Sequence, residues 1–175
     1  MNVQVLLEFA INVLSMGSLY ALIALGLVLV YGICKLINFA YGEYITASAY
    51  ILYFLGTFTN LPWPYVFIIG ILGGATIGFL SELIAYRAFR GRSLDALLVT
   101  SFAISIILER VFQLGISPRS KAVSVPDFFN TNIEILGVIT PLRNCLIIVT
   151  TIVLLVALLI IMRRTPLGVA LRGAA

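Results

Sequence analysis

Five apolar runs, each long enough to cross a bilayer, leave this chain very few folds. They cover about residues 5–31, 36–55, 65–85, 94–114 and 142–162. Hydrocarbon offers no water to satisfy peptide N–H and C=O groups, so such runs must close their hydrogen bonds internally, as helices. About twenty helical residues cross the roughly 30 Å core of a bilayer. The expected fold is therefore an all-α integral membrane protein with about five transmembrane helices, forming a single transmembrane domain over residues 1–175. Composition agrees: 62% of the residues are hydrophobic and 10% are charged, where a soluble domain has about 45–50% and 25%.

The stretch Gly32–Tyr50, GICKLINFAYGEYITASAY, departs most from an ordinary span. It places Lys35, Asn38 and Glu43 close together, beside Gly32 and Gly42. An ionisable group at membrane depth is costly and marks a functional site by default. Gly-interrupted backbone at that depth is tolerated only where protein or a water-filled cavity surrounds it. The second span is therefore expected to be broken, with Asn38, Gly42 and Glu43 as candidates for a translocation pathway or a structural motif. A bend at Gly42 would let Asn38 approach Glu43 as a hydrogen-bond partner. The simpler role for Asn38 and Glu43 is to cap and tie interrupted backbone, and direct solute contact stays open beside it.

The other runs read more plainly. A helix over residues 5–31 would measure about 40 Å, so it must tilt, protrude or break. Ser15, Gly17 and Ser18 are its expected weak point. The opening MNVQVLLEFAINVL lacks the basic region and cleavage site of a secretory signal and reads as part of this span. Pro62, Trp63 and Pro64 make a connection at a membrane surface. Gly70, Gly74 and Gly78, four residues apart, lie on one helical face and form a helix-packing surface. Glu82 near that helix's end could reach the interface or pair with Arg87. Ser93 and Asp95 suit a helix start. Glu109, Arg110 and Gln113 form a polar cluster near the end of the fourth run. The connection from about Gly115 to Thr140 is too polar to span, and the alternation in VSVPDFF and IEILGVI suits short strands or loops.

Charge sets an expected orientation. Arg87, Arg90 and Arg92 crowd one short loop, the strongest cytoplasmic signal in the chain. Alternation then puts the 115–140 connection outside and Arg163, Arg164 and Arg172 inside. The basic residues Arg119, Lys121 and Arg143 fall on the outer side and oppose this distribution. Past the aliphatic fifth run, Pro166 restricts Thr165 to an extended form and suits the first turn of a new helix. A short cytoplasmic helix at the inner surface is expected over residues 163–175.

Several function classes are disfavoured. The net charge of +4 is spread along the chain and does not point to nucleic acid. There is no histidine, the commonest metal ligand and acid–base group. Cys34 and Cys145 lack metal-ligand spacing and read as small buried residues. No metal, cofactor or catalytic residue is expected. A Gly-rich phosphate loop with Lys and Ser/Thr is missing, so the chain is not itself an ATPase.

The run Gly17–Gly26, then Val30–Gly32, then Asn38–Glu43 (Asn-Phe-Ala-x-Gly-Glu) resembles the signature of the branched-chain amino-acid type permeases of ATP-binding-cassette importers. ELIAYRAFRGRS and the ending RRTPLGVALRGAA are similar to further segments of that family. The family carries His where this chain has Tyr41. The resemblance covers nearly the whole chain in order. It implies a permease subunit forming part of a translocation pathway, with ATP-binding subunits, a second permease subunit and an extracytoplasmic solute-binding protein as partners. It implies a small-molecule substrate, a branched-chain amino acid or, since urea and short-chain amide permeases share these motifs, a similar small solute. It places the chain in the inner membrane of a prokaryote, in contact with lipid. It marks 163–175 as the start of a coupling segment, with Arg163, Arg164, Leu167, Gly168 and Arg172 as candidates for docking on an ATPase. Family permeases are longer, so this chain is expected to be the N-terminal part. The residues alone leave another reading, an ion channel or secondary carrier subunit using Glu43. A membrane-embedded structural subunit is a third.

Overall fold

The computed structural model describes residues 3–34, 37–89, 91, 93–117, 119–123, 125–135 and 138–164. They fall into two compact units, residues 36–125 on one hand and residues 1–35 with 126–175 on the other.

The first unit holds three long helices: α2 (Tyr41–Phe58), α3 (Trp63–Ile84) and α4 (Leu94–Gly115), with a 3-10 turn (Tyr86–Phe89) between the last two. Each boundary has a local cause. Proline stands in the first turn of α3, where its missing N–H costs nothing. Ser93 caps α4 by accepting a hydrogen bond from the Ala96 N–H, and Asp95 sits in its first turn. Between them, Gly91 turns the chain at a φ of 83°, a conformation glycine adopts without the Cβ penalty.

The second unit holds α1 (Val3–Cys34), a helical turn α5 (Asp127–Asn130), an antiparallel hairpin of β1 (Asn132–Ile135) and β2 (Val138–Pro141), and α6 (Leu142–Arg164). The hairpin pairs Ile133 with Thr140 and Glu134 with Ile139. It realises the alternation in IEILGVI, whereas the PDFF stretch turns helical at α5. α1 packs on α6 and also meets β2.

α1 corrects one expectation. It runs unbroken for 32 residues, through Ser15, Gly17 and Ser18. Ser15 and Ser18 are buried, so these small residues permit close approach of a neighbour instead of weakening the helix. The Asn144 Nδ2 donates to Asn12 Oδ1 at 2.8 Å, tying α6 to α1 by a polar clasp that hydropathy alone did not reveal.

Among the described residues, four helices are long and apolar enough to cross a membrane: Gln4–Gly32, Trp63–Phe89, Leu94–Gly115 and Leu142–Ile160. The expected second span is α2, an 18-residue helix that carries Glu43 in its first turn and is not one of these four. Most side chains on the spans are exposed, Ile71 and Val99 among them. Such surface suits acyl chains or neighbouring subunits rather than water.

Candidate functional site

The polar stretch before α2 is a built turn. Residues 37–40 are not helical, and α2 starts at Tyr41 rather than at residue 36. Asn38 organises the turn: its Oδ1 accepts from the Ala40 N–H at 3.0 Å and from the Tyr86 hydroxyl at 2.8 Å. The Tyr41 N–H donates to the Asn38 carbonyl at 3.2 Å. From α4, Ser101 Oγ lies 3.4 Å from the Phe39 N–H, which donates to it, and 3.4 Å from the Ile37 carbonyl. The same hydroxyl donates to the Leu98 carbonyl at 2.8 Å. Ser101 and Ala40 are both 0% exposed. Backbone groups packed away from water need protein partners, and Asn38 and Ser101 supply them here.

Apolar packing fixes the same turn. Ala40 clusters with Tyr86 and Ile104, with Tyr44, Leu97 and Leu108 around them. Phe39 meets Phe102 edge-on at 6.0 Å between ring centroids. Further along, Tyr50 meets Phe112 at 5.4 Å. These two contacts make α2 and α4 parallel neighbours.

The second span is interrupted, but in the turn over residues 37–40 and not by a bend at Gly42. Gly42 sits in the first turn of a regular helix, with open space where a Cβ would project. Asn38 makes no hydrogen bond to Glu43; its Oδ1 serves the Ala40 N–H and the Tyr86 hydroxyl. Glu43 instead stands at the positive end of the α2 dipole, half-buried, with the Glu109 carboxylate of α4 within electrostatic range. Glu109 accepts from Gln113 Nε2 at 2.7 Å, and Gln113 Oε1 accepts from Arg110 at 3.0 Å.

The opposite side of α2 lies against α3 through the glycines. A Cβ at Gly70 would meet Leu52 Cδ2 at 2.8 Å. One at Gly74 would collide with Ser48 Oγ and lie 3.1 Å from the Tyr44 carbonyl oxygen. Gly73 is as tight, against Ile51, whereas Gly78 has an ordinary 3.7 Å contact with the Tyr44 ring. Close approach of two backbones through small residues is how helices associate where lipid removes the hydrophobic drive.

Arg163 and Arg164 end α6, but their side chains, and Leu167, Gly168 and Arg172 entirely, lie outside the described residues. Tyr86 and Ser101 join the site although the sequence alone does not mark them as candidates. Tyr86 stands inside the ELIAYRAFRGRS segment. Ser101 carried no signal beyond being polar in mid-span.

Apolar helices with polar tethers at membrane depth define a multi-pass membrane protein. The chain belongs to the family described as branched-chain amino acid transport system / permease component, which matches residues 9–175. It is similar to the high-affinity branched-chain amino acid transport system permease protein BraD of Pseudomonas aeruginosa, 31% identical over 180 residues covering 97% of this chain and 59% of that protein. It is similar as well to the LivH permease proteins of the same description from Salmonella typhimurium and Escherichia coli, at 34% and 33% identity over 71% of this chain and 42% of theirs. The chain thus spans about two- to three-fifths of these relatives' length. No solved structure matches it.

Proposed function

We propose that the chain forms part of the membrane-spanning permease of an ATP-binding-cassette importer, in the inner membrane of a prokaryote, for branched-chain amino acids or a similar small solute. The observation that carries this is the similarity to BraD over 97% of the chain. The geometry supports it: α2 carries Glu43 in its first turn and sets Glu43, Thr46, Tyr50 and Tyr53 along one side. A simple anchor has no need of such a side, and a solute path does.

In this reading the Arg87–Arg92 loop is cytoplasmic and the 115–140 connection faces outward. Solute arrives from an extracytoplasmic binding protein. A second permease subunit completes the pathway, and ATP-binding subunits dock on the segment 163–175 through Arg163, Arg164, Leu167, Gly168 and Arg172. Asn38 and Tyr86 hold the entry to α2 in place, and Gly70 and Gly74 fix α3 against it.

The test is uptake of radiolabelled leucine by a strain lacking its own high-affinity systems. The strain carries this chain together with the ATP-binding, solute-binding and second permease subunits of a branched-chain amino-acid importer. Uptake that requires intact ATPases and survives a proton uncoupler is expected. Uptake abolished by the uncoupler and indifferent to the ATPases would favour a secondary carrier and overturn the proposal. Deleting residues 163–175 is expected to abolish co-purification of the ATP-binding subunits, and unchanged binding would remove the docking role.

A further inference from the structure

Arg119 and Lys121 run against the charge distribution that orients the rest of the chain. Basic residues close to a span end favour the cytoplasmic side, and these two follow shortly after the end of α4 at Gly115. On the orientation proposed above they face outward, so their position opposes the topology unless they have a task there.

The structure supplies one. The segment after α4 lies along α2, on the side away from the glycine contact, and borders an open hollow of about 270 Å³. Thr46, Tyr50, Tyr53, Arg119, Ser120 and Lys121 are among the residues lining it. The segment is held in place. The Tyr50 hydroxyl donates to the Ser117 carbonyl at 3.5 Å, and Ser117 Oγ accepts from the Arg119 N–H at 3.2 Å. Lys121 Nζ stands 5.8 Å from the centre of the Tyr53 ring, within cation–π range. No acidic side chain lines the cavity among the described residues. Two cations thus converge on an aromatic, hydroxyl-bearing hollow with no anion to answer them. Its volume falls just below the roughly 300 Å³ at which drug-sized pockets begin, a size for a small metabolite rather than for a protein surface.

We propose that this cavity is an outer capture site for the carboxylate of a small solute, with Arg119 and Lys121 as the anion-binding pair between the walls of Tyr50 and Tyr53. This deepens the importer reading and rests on it for sidedness. A guanidinium presents a planar fork that matches a carboxylate, and paired outer cations raise the local concentration of anionic groups at the mouth of a path. Glu43 lies one turn beyond Thr46 on the same side of α2, so this side carries both charge signs that a zwitterion meets.

The experiment places Cys at Ser120 in a chain whose Cys34 and Cys145 are replaced by Ala, in the assembled complex reconstituted in lipid nanodiscs. The rate of labelling by a charged maleimide is the readout. Leucine and isovalerate, which share the carboxylate, are expected to slow labelling by about tenfold at ten times their Kd. Leucinol, which lacks the carboxylate, leaves the rate unchanged. Arg119→Gln with Lys121→Gln removes the protection, while Lys121→Arg keeps it. Equal protection by leucinol, or none by any carboxylate, overturns the proposal, and both comparisons are made without mutating the cations. Slowing that follows phosphatidylglycerol in the disc and ignores leucine would make the cavity a lipid headgroup site and would also overturn it. Labelling needs neither ATP nor transport, so the two readings fail separately. Protection without uptake removes the importer. Normal leucine KM without protection in the doubly substituted protein removes the capture site.

Discussion

Replacing Gly74 with Ala tests whether α2 and α3 are held by backbone proximity. The new methyl would collide with Ser48 Oγ and stand 3.1 Å from the Tyr44 carbonyl oxygen. The serine can rotate, but it then loses its hydrogen bond to that same carbonyl, 3.2 Å long, worth about 0.5–1.5 kcal/mol. The carbonyl belongs to a helix and cannot move alone, so α2 must shift. Overpacking of this kind costs about 1–3 kcal/mol, or roughly a fivefold to 150-fold fall in the folded-to-unfolded ratio. The neighbours rank themselves. Gly70→Ala and Gly73→Ala meet the ends of Leu52 and Ile51 side chains, which can turn aside, so they cost less. Gly78→Ala meets the Tyr44 ring at 3.7 Å and is expected to be neutral. Unfolding in a titration of SDS into mild detergent, followed by Trp63 fluorescence, gives the order. Adding Ser48→Ala to Gly74→Ala should restore part of the loss, with a coupling of about 0.5–1.5 kcal/mol. If Gly74→Ala were harmless while Gly78→Ala destabilised, or if Ser48→Ala restored nothing, the described contact between α2 and α3 would be wrong.

Three further outcomes are expected. Asn38→Ala removes the shared acceptor of the Tyr86 hydroxyl and the Ala40 N–H and should cost about 1–3 kcal/mol, whereas Tyr86→Phe leaves the Ala40 bond intact and should cost less; the same SDS titration distinguishes them. Glu43→Gln should impair assembly or uptake more than Glu134→Gln, because a carboxylate at membrane depth persists only with a task, and equal tolerance in the uptake assay would remove Glu43 from the site. Cys at Ser120 should react with an impermeant thiol reagent on intact cells, and Cys at Ser93 only after the membrane is opened; the reverse pattern would invert the orientation.

The helices were largely legible because lipid makes each span a local decision. Runs read as 94–114 and 142–162 became Leu94–Gly115 and Leu142–Arg164, since apolar length alone decides where backbone leaves water. The glycine spacing likewise put Gly70 and Gly74 on a packing face, although Gly73, outside that spacing, is as tight. The tethers were not legible. Asn38 and Tyr86 lie 48 residues apart, and nothing in either neighbourhood announces the other. Ser101 and the Asn12–Asn144 clasp are isolated polar residues in mid-span or at a span's edge, whose partners exist only after packing. Small residues in α1 misled for a related reason. Ser and Gly weaken a helix in water, but in a membrane bundle they admit a neighbour, and only the neighbour's presence decides which effect wins.

The length of α1 makes this protein sensitive to the lipid around it. Its apolar stretch Gln4–Gly32 has 29 residues, about 44 Å at 1.5 Å each, whereas the 19 residues of Leu142–Ile160 on α6 make about 28 Å. A typical bilayer core of about 30 Å suits α6 upright and leaves α1 too long, even at the roughly 40° extreme of observed tilts. The two helices are pinned together at Asn12 and Asn144, so they cannot adjust independently. Hydrophobic mismatch therefore falls on the pair: longer acyl chains relieve α1 and strain α6, and shorter ones do the opposite.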